Sequence, residues 1–266
     1  MILAIEIDNS RINFGFFEKD GTLVKTFKIA TDITKTSDEY AVLIDGIFEY
    51  HKINRDDISG AAICSVVPML TTVIYDLIKQ LFCNIEIVKV QKGIKTGFSI
   101  KVDTPAELGA DLVANAVAVS AIKTNGGTNN NPCVIVDIGN ATTIFALNAN
   151  NEFIGGSILP GVEMSFNALH GNTALLPNVT ITRPEKAIGK NSQDSICSGV
   201  LMGTAILIDG FLKRFSDEMK AKSINVFVTG EYAEFVMDFC STSYQYIPNL
   251  TLLGLYYVYK NNTVER

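Results

Sequence analysis

Two short segments hold the residue types that could handle phosphate and metal. Val134 to Ala146 reads Val-Ile-Val-Asp-Ile-Gly-Asn-Ala-Thr-Thr-Ile-Phe-Ala. It is a strand that ends in the carboxylate of Asp137, a tight polar turn, and a second strand. Ala4 to Phe16 repeats the pattern, with Glu6 in the place of Asp137 and Asn9 in the place of Asn140, 131 residues earlier (137 − 6). Gly139 lets a backbone N–H approach a ligand with no Cβ in the way. Thr142 and Thr143 add hydroxyls. Phosphate oxygens would take the N–H donors, and the carboxylate would take the waters of a hydrated Mg2+. One copy alone reads equally as an ordinary hairpin. The repeat favours a duplicated fold whose facing turns hold a nucleotide's phosphates and their metal.

A third candidate is Asp111, in Gly109-Ala110-Asp111. Pro105 to Ile122 reads as one helix with Thr104 as N-cap and Glu107 three residues on, a capping box. A carboxylate beside a glycine, on a largely apolar helix, suits a general base for a substrate hydroxyl. The competing reading is a solvated helix carboxylate. Gly155-Gly156-Ser157-Ile158-Leu159-Pro160-Gly161 joins a strand to a helix and reads as an anion-binding turn or a plain tight one. Neither GxxxxGK[ST] nor GxGxxG occurs.

The elements that must position these residues follow from periodicity. Three strands open the chain: Met1–Ile7, Arg11–Glu18 and Thr22–Ala30, with turn residues between them. A helix is expected from Ser37, as N-cap, to Tyr50, a strand over Gly60–Val67, a helix from Pro68 to Phe82 and a strand over Ile85–Val90. The polar run from Thr124 to Pro132 is the best boundary, giving domains 1–123 and 124–266, with the last helix free to pack back on the first. The second half then repeats the order: three strands to Leu159, helices over Pro160–Leu169 and Asp194–Lys222, a strand over Ile224–Thr229 and helices over Glu231–Phe239 and Thr251–Lys260. The class is α/β, duplicated.

The 266 residues carry a formal charge of −6, which argues against nucleic acid as a partner. No apolar run is expected to span a membrane. Five scattered cysteines, Cys64, Cys83, Cys133, Cys197 and Cys240, read as free thiols in a reducing cytoplasm. Two distant histidines, His51 and His170, make a histidine metal site or a Ser-His-Asp triad a poor fit.

Many short segments, in order, resemble the type III pantothenate kinases. They are Glu6–Gly15, Ser65–Pro68, Lys95–Gly97, Pro105–Asp111, Asp137–Thr143, Gly155–Gly161, Thr173–Pro177, Gly189–Ser192, Ser198–Gly199, Thr229–Gly230 and Leu250–Leu255. The resemblance implies two ribonuclease-H-like domains of the sugar kinase, actin and heat-shock chaperone superfamily, duplicated around a central cleft. It implies ATP-dependent phosphorylation of pantothenate to 4'-phosphopantothenate, the first step of coenzyme A synthesis. It also implies Mg2+, a monovalent cation (K+ or NH4+), and a homodimer with the site at its interface. By the same carry-over Asp111 is the general base, and Glu6 and Asp137 are metal carboxylates. Glu6, Asp8, Asn9, Ser10, Arg11, Gly139, Asn140, Ala141, Thr142 and Gly230 contact the nucleotide. Gly109, Ala110, Leu112 and Ser192 line the pantothenate pocket.

The motifs depart from the family at defined places. Glu6-Ile7-Asp8-Asn9-Ser10 stands for Asp-x-Gly-Asn-Thr, so Asp8 brings a Cβ and a charge where the family has glycine. Two like charges ~4 Å apart cost about 4 kcal/mol at an effective dielectric near 20; Arg11 follows to offset part of this or reach a phosphate. Leu112 replaces an arginine, a loss of roughly 1.5–3 kcal/mol for a charge-assisted bond. Asn140 replaces threonine, and Glu231 replaces the second glycine of Thr-Gly-Gly. Two alternatives follow: an impaired paralogue serving as a dimeric regulatory or binding protein, and a kinase for another small hydroxylated substrate.

Overall fold

The computed structural model describes residues 1–82, 85–126 and 130–263. Cys83 and part of the expected boundary, 127–129, lie outside them. Two compact units emerge: Met1–Phe98 with Thr104–Gly126 and Leu250–Arg266, and Ser99–Asp103 with Gly127–Asn249.

In the first unit, β1 (Ile2–Ile7), β2 (Arg11–Phe17) and β3 (Leu23–Ala30) form an antiparallel meander. β4 (Gly60–Ser65) and β5 (Glu86–Lys89) add in parallel, giving the order β3-β2-β1-β4-β5. β1 is the central strand, covered on both faces, so it is apolar at nearly every position. Leu3, Ile5 and Ile7 pack with α1 (Ser37–Tyr50) and α2 (Pro68–Leu81). Ile2, Ala4, Ala62 and Cys64 face α3 (Ala110–Gly126) and α8 (Leu250–Asn262). α8 lies so close to α3 that a Cβ on Gly254 would overlap the Ala114 carbonyl. A buried hydrogen bond, from Thr251 Oγ1 to Asn115 Oδ1 at 2.9 Å, ties the two helices.

The second unit repeats this order. β7 (Cys133–Ile138), β8 (Ala141–Leu147) and β9 (Glu152–Pro160) form the meander, and β10 (Asn225–Thr229) and β11 (Gln245–Tyr246) add in parallel. A short strand, β6 (Ser99–Ile100), extends the β9 edge. β1 and β7 share one burial pattern, and so do β2 and β8. Even the register shifts match, at Phe16/Phe17 and at Ala146/Leu147.

The turns are not equal in length. Asp8-Asn9-Ser10 separates β1 from β2, whereas only Gly139-Asn140 separates β7 from β8. The first strands are offset by 131 residues (137 − 6), but the second strands by 130 (141 − 11). Ala141 therefore corresponds to Arg11, not to Ser10 as the direct superposition expects.

Five expectations are corrected. The α1 N-cap is Thr36, not Ser37; Thr36 and Glu39 form the capping box. Residues 105–122 are not one helix. Pro105–Glu107 is a single 3-10 turn without a side-chain cap from Thr104, Leu108 is extended, and α3 begins at Ala110. Pro160 ends β9 rather than opening α4 (Val162–Gly171). The long helix is broken by a π-helical turn, Ser198–Met202, between α5 (Ser192–Cys197) and α6 (Gly203–Glu218). The helical stretch Ser192–Glu218 is also long and apolar enough to cross a membrane, contrary to expectation; half of its most apolar window is buried inside the protein, which a core helix needs.

Candidate active site

The breaking of residues 105–122 decides where Asp111 stands. It lies in the first turn of α3 instead of mid-helix. Gly109 precedes it, and the Gly109 carbonyl accepts the Val113 N–H at 3.1 Å, the first hydrogen bond of the helix. A Cβ on Gly109 would run into Asp111 Oδ1, so glycine is required for the carboxylate to sit where it does. Asp111 Oδ1 is buried and has no hydrogen-bond partner. Burial pushes its pKa above the usual carboxylate range, and the charge of Asp8 adds to the shift; the Leu112 backbone and its own pull the other way.

Side-chain alternation puts Glu6 on the same sheet face as Ile2 and Ala4, the face that meets α3 and α8. Glu6 pairs in register with Asn13 on β2 and with Cys64 on β4, a row of three across the sheet. Asn13 Nδ2 donates to Glu6 Oε2 at 2.9 Å, and Asn13 Oδ1 is buried without a partner. The Cys64 thiol is pushed well above its ordinary pKa, first by burial and then by the negative charges of Glu6, Asp111 and Asp8. One unit thus gathers Glu6, Asp8, Asp111 and the Gly109–Leu112 segment. The Asp8 turn is pinned: Thr31 Oγ1 donates to the Asp8 carbonyl at 2.6 Å and the Asp8 N–H donates to Arg11 O at 2.9 Å. Leu112 is nearly buried, at 9% exposure.

Asp137, Gly139, Asn140, Ala141, Thr142, Ser192 and Gly230 belong to the other unit. There the matching row is Thr143–Asp137–Thr229. Thr142 points to the opposite face and is fully buried, its Oγ1 unpaired, so Thr143 is the threonine that shares a face with Asp137. Three glycines crowd the turn. Gly139 forms it, a Cβ on Gly161 would overlap the Asn140 carbonyl, and a Cβ on Gly230 would strike the Ile138 backbone. Gly230 also has φ +104°, where an L side chain is strained. Gly156 is needed for sheet packing, since its Cβ would overlap the Ile144 carbonyl. Asn191 caps α5 by accepting the Asp194 N–H at 2.8 Å, leaving Ser192 exposed at the first helical position.

Among the described residues no three His, Cys, Asp or Glu side chains cluster tightly enough to enclose a metal ion. The oxygens of Glu6 and Asn13 nonetheless suit a hard cation that keeps most of its waters, as Mg2+ does.

The model of the family described as type III pantothenate kinase matches residues 2–214. This chain belongs to the type III pantothenate kinase family. A type III pantothenate kinase of Dictyoglomus turgidum is 40% identical over 266 residues, covering 98% of this chain and 100% of that protein. One from Thermobifida fusca is 35% identical over 265 residues, covering 99% and 100%. Among solved structures, a Baf family transcriptional activator from Campylobacter jejuni superposes with TM-score 0.58 at 20% identity, covering 98% of both chains. A 2-dehydro-3-deoxygalactonokinase protein from Sinorhizobium meliloti superposes with TM-score 0.57 at 10% identity, again over 98% of each. These two likenesses carry the fold alone, the duplicated α/β plan described above. As a type III pantothenate kinase the chain carries the carboxylates of Asp111 and Asp137, one in each compact unit. Sequence reading missed Asn13 and Cys64; the register of β1 with β2 and with β4 puts them in line with Glu6.

Proposed function

We propose that this protein transfers the γ-phosphate of ATP to the hydroxyl of pantothenate, with Asp111 as general base. The observation that carries the role of Asp111 is its buried, unpartnered Oδ1 with a raised pKa. A carboxylate that resists ionisation is a stronger base, closer to working pH. Asp111 accepts the hydroxyl proton as that oxygen bonds to the γ-phosphorus and the bond to the departing ADP breaks. Gly109 leaves room for the carboxylate, and α3 fixes its direction. Mg2+, when bound, would offset charge on the β- and γ-phosphate oxygens. Glu6 and Asp137, each next to last in the first long strand of its unit, are each proposed, in its own unit, as a carboxylate for a divalent metal. Backbone N–H groups of the turns at Asp8–Arg11 and Gly139–Thr142, with Gly230, are proposed for the phosphates. Gly109, Ala110, Leu112 and Ser192 are proposed for pantothenate. A monovalent cation, K+ or NH4+, is proposed without an assigned side chain.

A homodimer is part of the proposal. On α6, Ile206 and Leu207 are exposed at 70% and 50%, and Gly203 and Gly210 have open space beside them, a face suited to a second copy. Free thiols at Cys64, Cys133, Cys197 and Cys240 suit the cytoplasm. The test is an ADP-release assay across pantothenate and related pantoyl compounds, with Mg2+ and with or without K+. ADP release that depends on pantothenate is expected. Release only with a different pantoyl compound would move the substrate, and none at high ATP would overturn the proposal.

A further inference from the structure

The two hairpins differ at one matched pair of side chains. Glu6 faces Asn13 across the first, and Asp137 faces Thr143 across the second. Both members of the first pair reach further: glutamate carries one methylene more than aspartate, and asparagine places its polar atoms one bond beyond those of threonine. Glutamate also has an extra torsion to fix before its carboxylate has a set position. The Asn13 Nδ2 hydrogen bond to Glu6 Oε2, at 2.9 Å, supplies that restraint.

Asparagine is otherwise a poor choice here. It is disfavoured in strands, its neighbours Ile12 and Phe14 are fully buried, and its Oδ1 is left buried without a partner. Buried polar atoms of native proteins are normally paired, so an orphan needs an explanation. Its contact with Glu6 gives one.

We propose that Asn13 is a positioning residue, which clamps the longer Glu6 side chain so that its carboxylate is set for a hydrated divalent cation. The unpaired Asn13 Oδ1 stands beside it as a further hard oxygen for the cation's waters. This rests on the reading of Glu6 as a cation-holding carboxylate of the kinase. The pair Glu6/Asn13 occupies in the first unit the register position that Asp137/Thr143 occupies in the second with shorter side chains.

The test uses the full-length protein with ADP and Mn2+ as probe, free Mn2+ being followed by electron paramagnetic resonance. Asn13→Val keeps a strand-forming side chain and removes the donor; Mn2+ affinity should fall about tenfold. Glu6→Asp alone should also weaken binding, because Asn13 is set for the longer partner. Glu6→Asp combined with Asn13→Thr copies the second hairpin and should restore most of the affinity, a rescue that a merely structural role would not give. If Asn13→Val does not fold by circular dichroism, Asn13→Thr, a residue already accommodated opposite Asp137, carries the same expectation of weakened binding. Unchanged Mn2+ affinity in the Asn13 variants, with loss in Glu6→Ala, overturns the positioning role. Unchanged affinity in Glu6→Ala as well overturns the cation reading of Glu6, and the proposal falls with it.

Discussion

Asp111→Asn should abolish most activity and at the same time make the protein more stable. The substitution keeps the shape and removes the charge. Two sets of forces act on that charge. Burial, the unpartnered Oδ1 and the nearby Asp8 oppose it. The first turn of α3 favours it, by ~0.3–1 kcal/mol for a carboxylate at a helix N-terminus, together with the neighbouring backbone. The raised pKa says that the opposing set wins. Asn keeps a polar atom at the unpaired position, so the gain comes from removing the charge alone, and each kcal/mol of it would appear as a rise of about 2–4 °C in Tm. The sign with pH follows from linkage. The folded pKa lies above the unfolded one, so stability is fully present below the unfolded value and is lost as pH rises through the folded value. The wild type and Asp111→Asn should therefore melt apart at neutral pH and converge as pH falls towards the ordinary aspartate value of about 3.9. Turnover should drop about 10²–10⁴-fold. Scanning calorimetry over a pH series, beside the ADP-release assay, reads both. An unchanged or lower Tm at neutral pH, or a gap that does not close on acidification, would refute the argument.

Gly109→Ala should leave the melting temperature near wild type and depress turnover, because the new Cβ displaces Asp111 Oδ1; normal turnover would show that the carboxylate position is not critical. Gly254→Ala should cost about 1–3 kcal/mol or more by prising α8 from α3, seen as a lower urea midpoint; a wild-type midpoint would mean the helices can part freely. Gly230→Ala should cost about 1–3 kcal/mol or more, through backbone strain and the clash of its Cβ with the Ile138 backbone, and weaken ATP binding by titration calorimetry, since the turn after Ile138 lies against it; intact affinity would remove Gly230 from the nucleotide site.

The hairpins were legible because alternating apolar residues and turn residues are local signals, and both survive in the fold. So was the α/β repeat, since the same run of strands and helices recurs in each half. The start of α3 was not. Thr104 and Glu107 look like a capping box, but Leu108 takes an extended conformation and α3 begins only at Ala110, where it packs on α8 and the sheet, a tertiary preference that overrides local propensity. Thr36 was passed over for Ser37 because one-residue shifts leave periodicity unchanged. β6 and β11 are two residues each, too short for any pattern. The row Asn13–Glu6–Cys64 needed the register, which a one-residue difference in turn length resets.

That single extra residue also says where this architecture tolerates a change of length. An insertion within β1 or β2 would turn every later side chain to the wrong face of a sheet covered on both sides. At the hairpin tip it flips nothing: the two burial patterns remain superposable on either side of it. The meander can therefore vary in length at its tip without disturbing the core, and the tip is also where phosphate is expected. A change of length at the tip re-aims the turn's backbone N–H groups while both strands keep their faces.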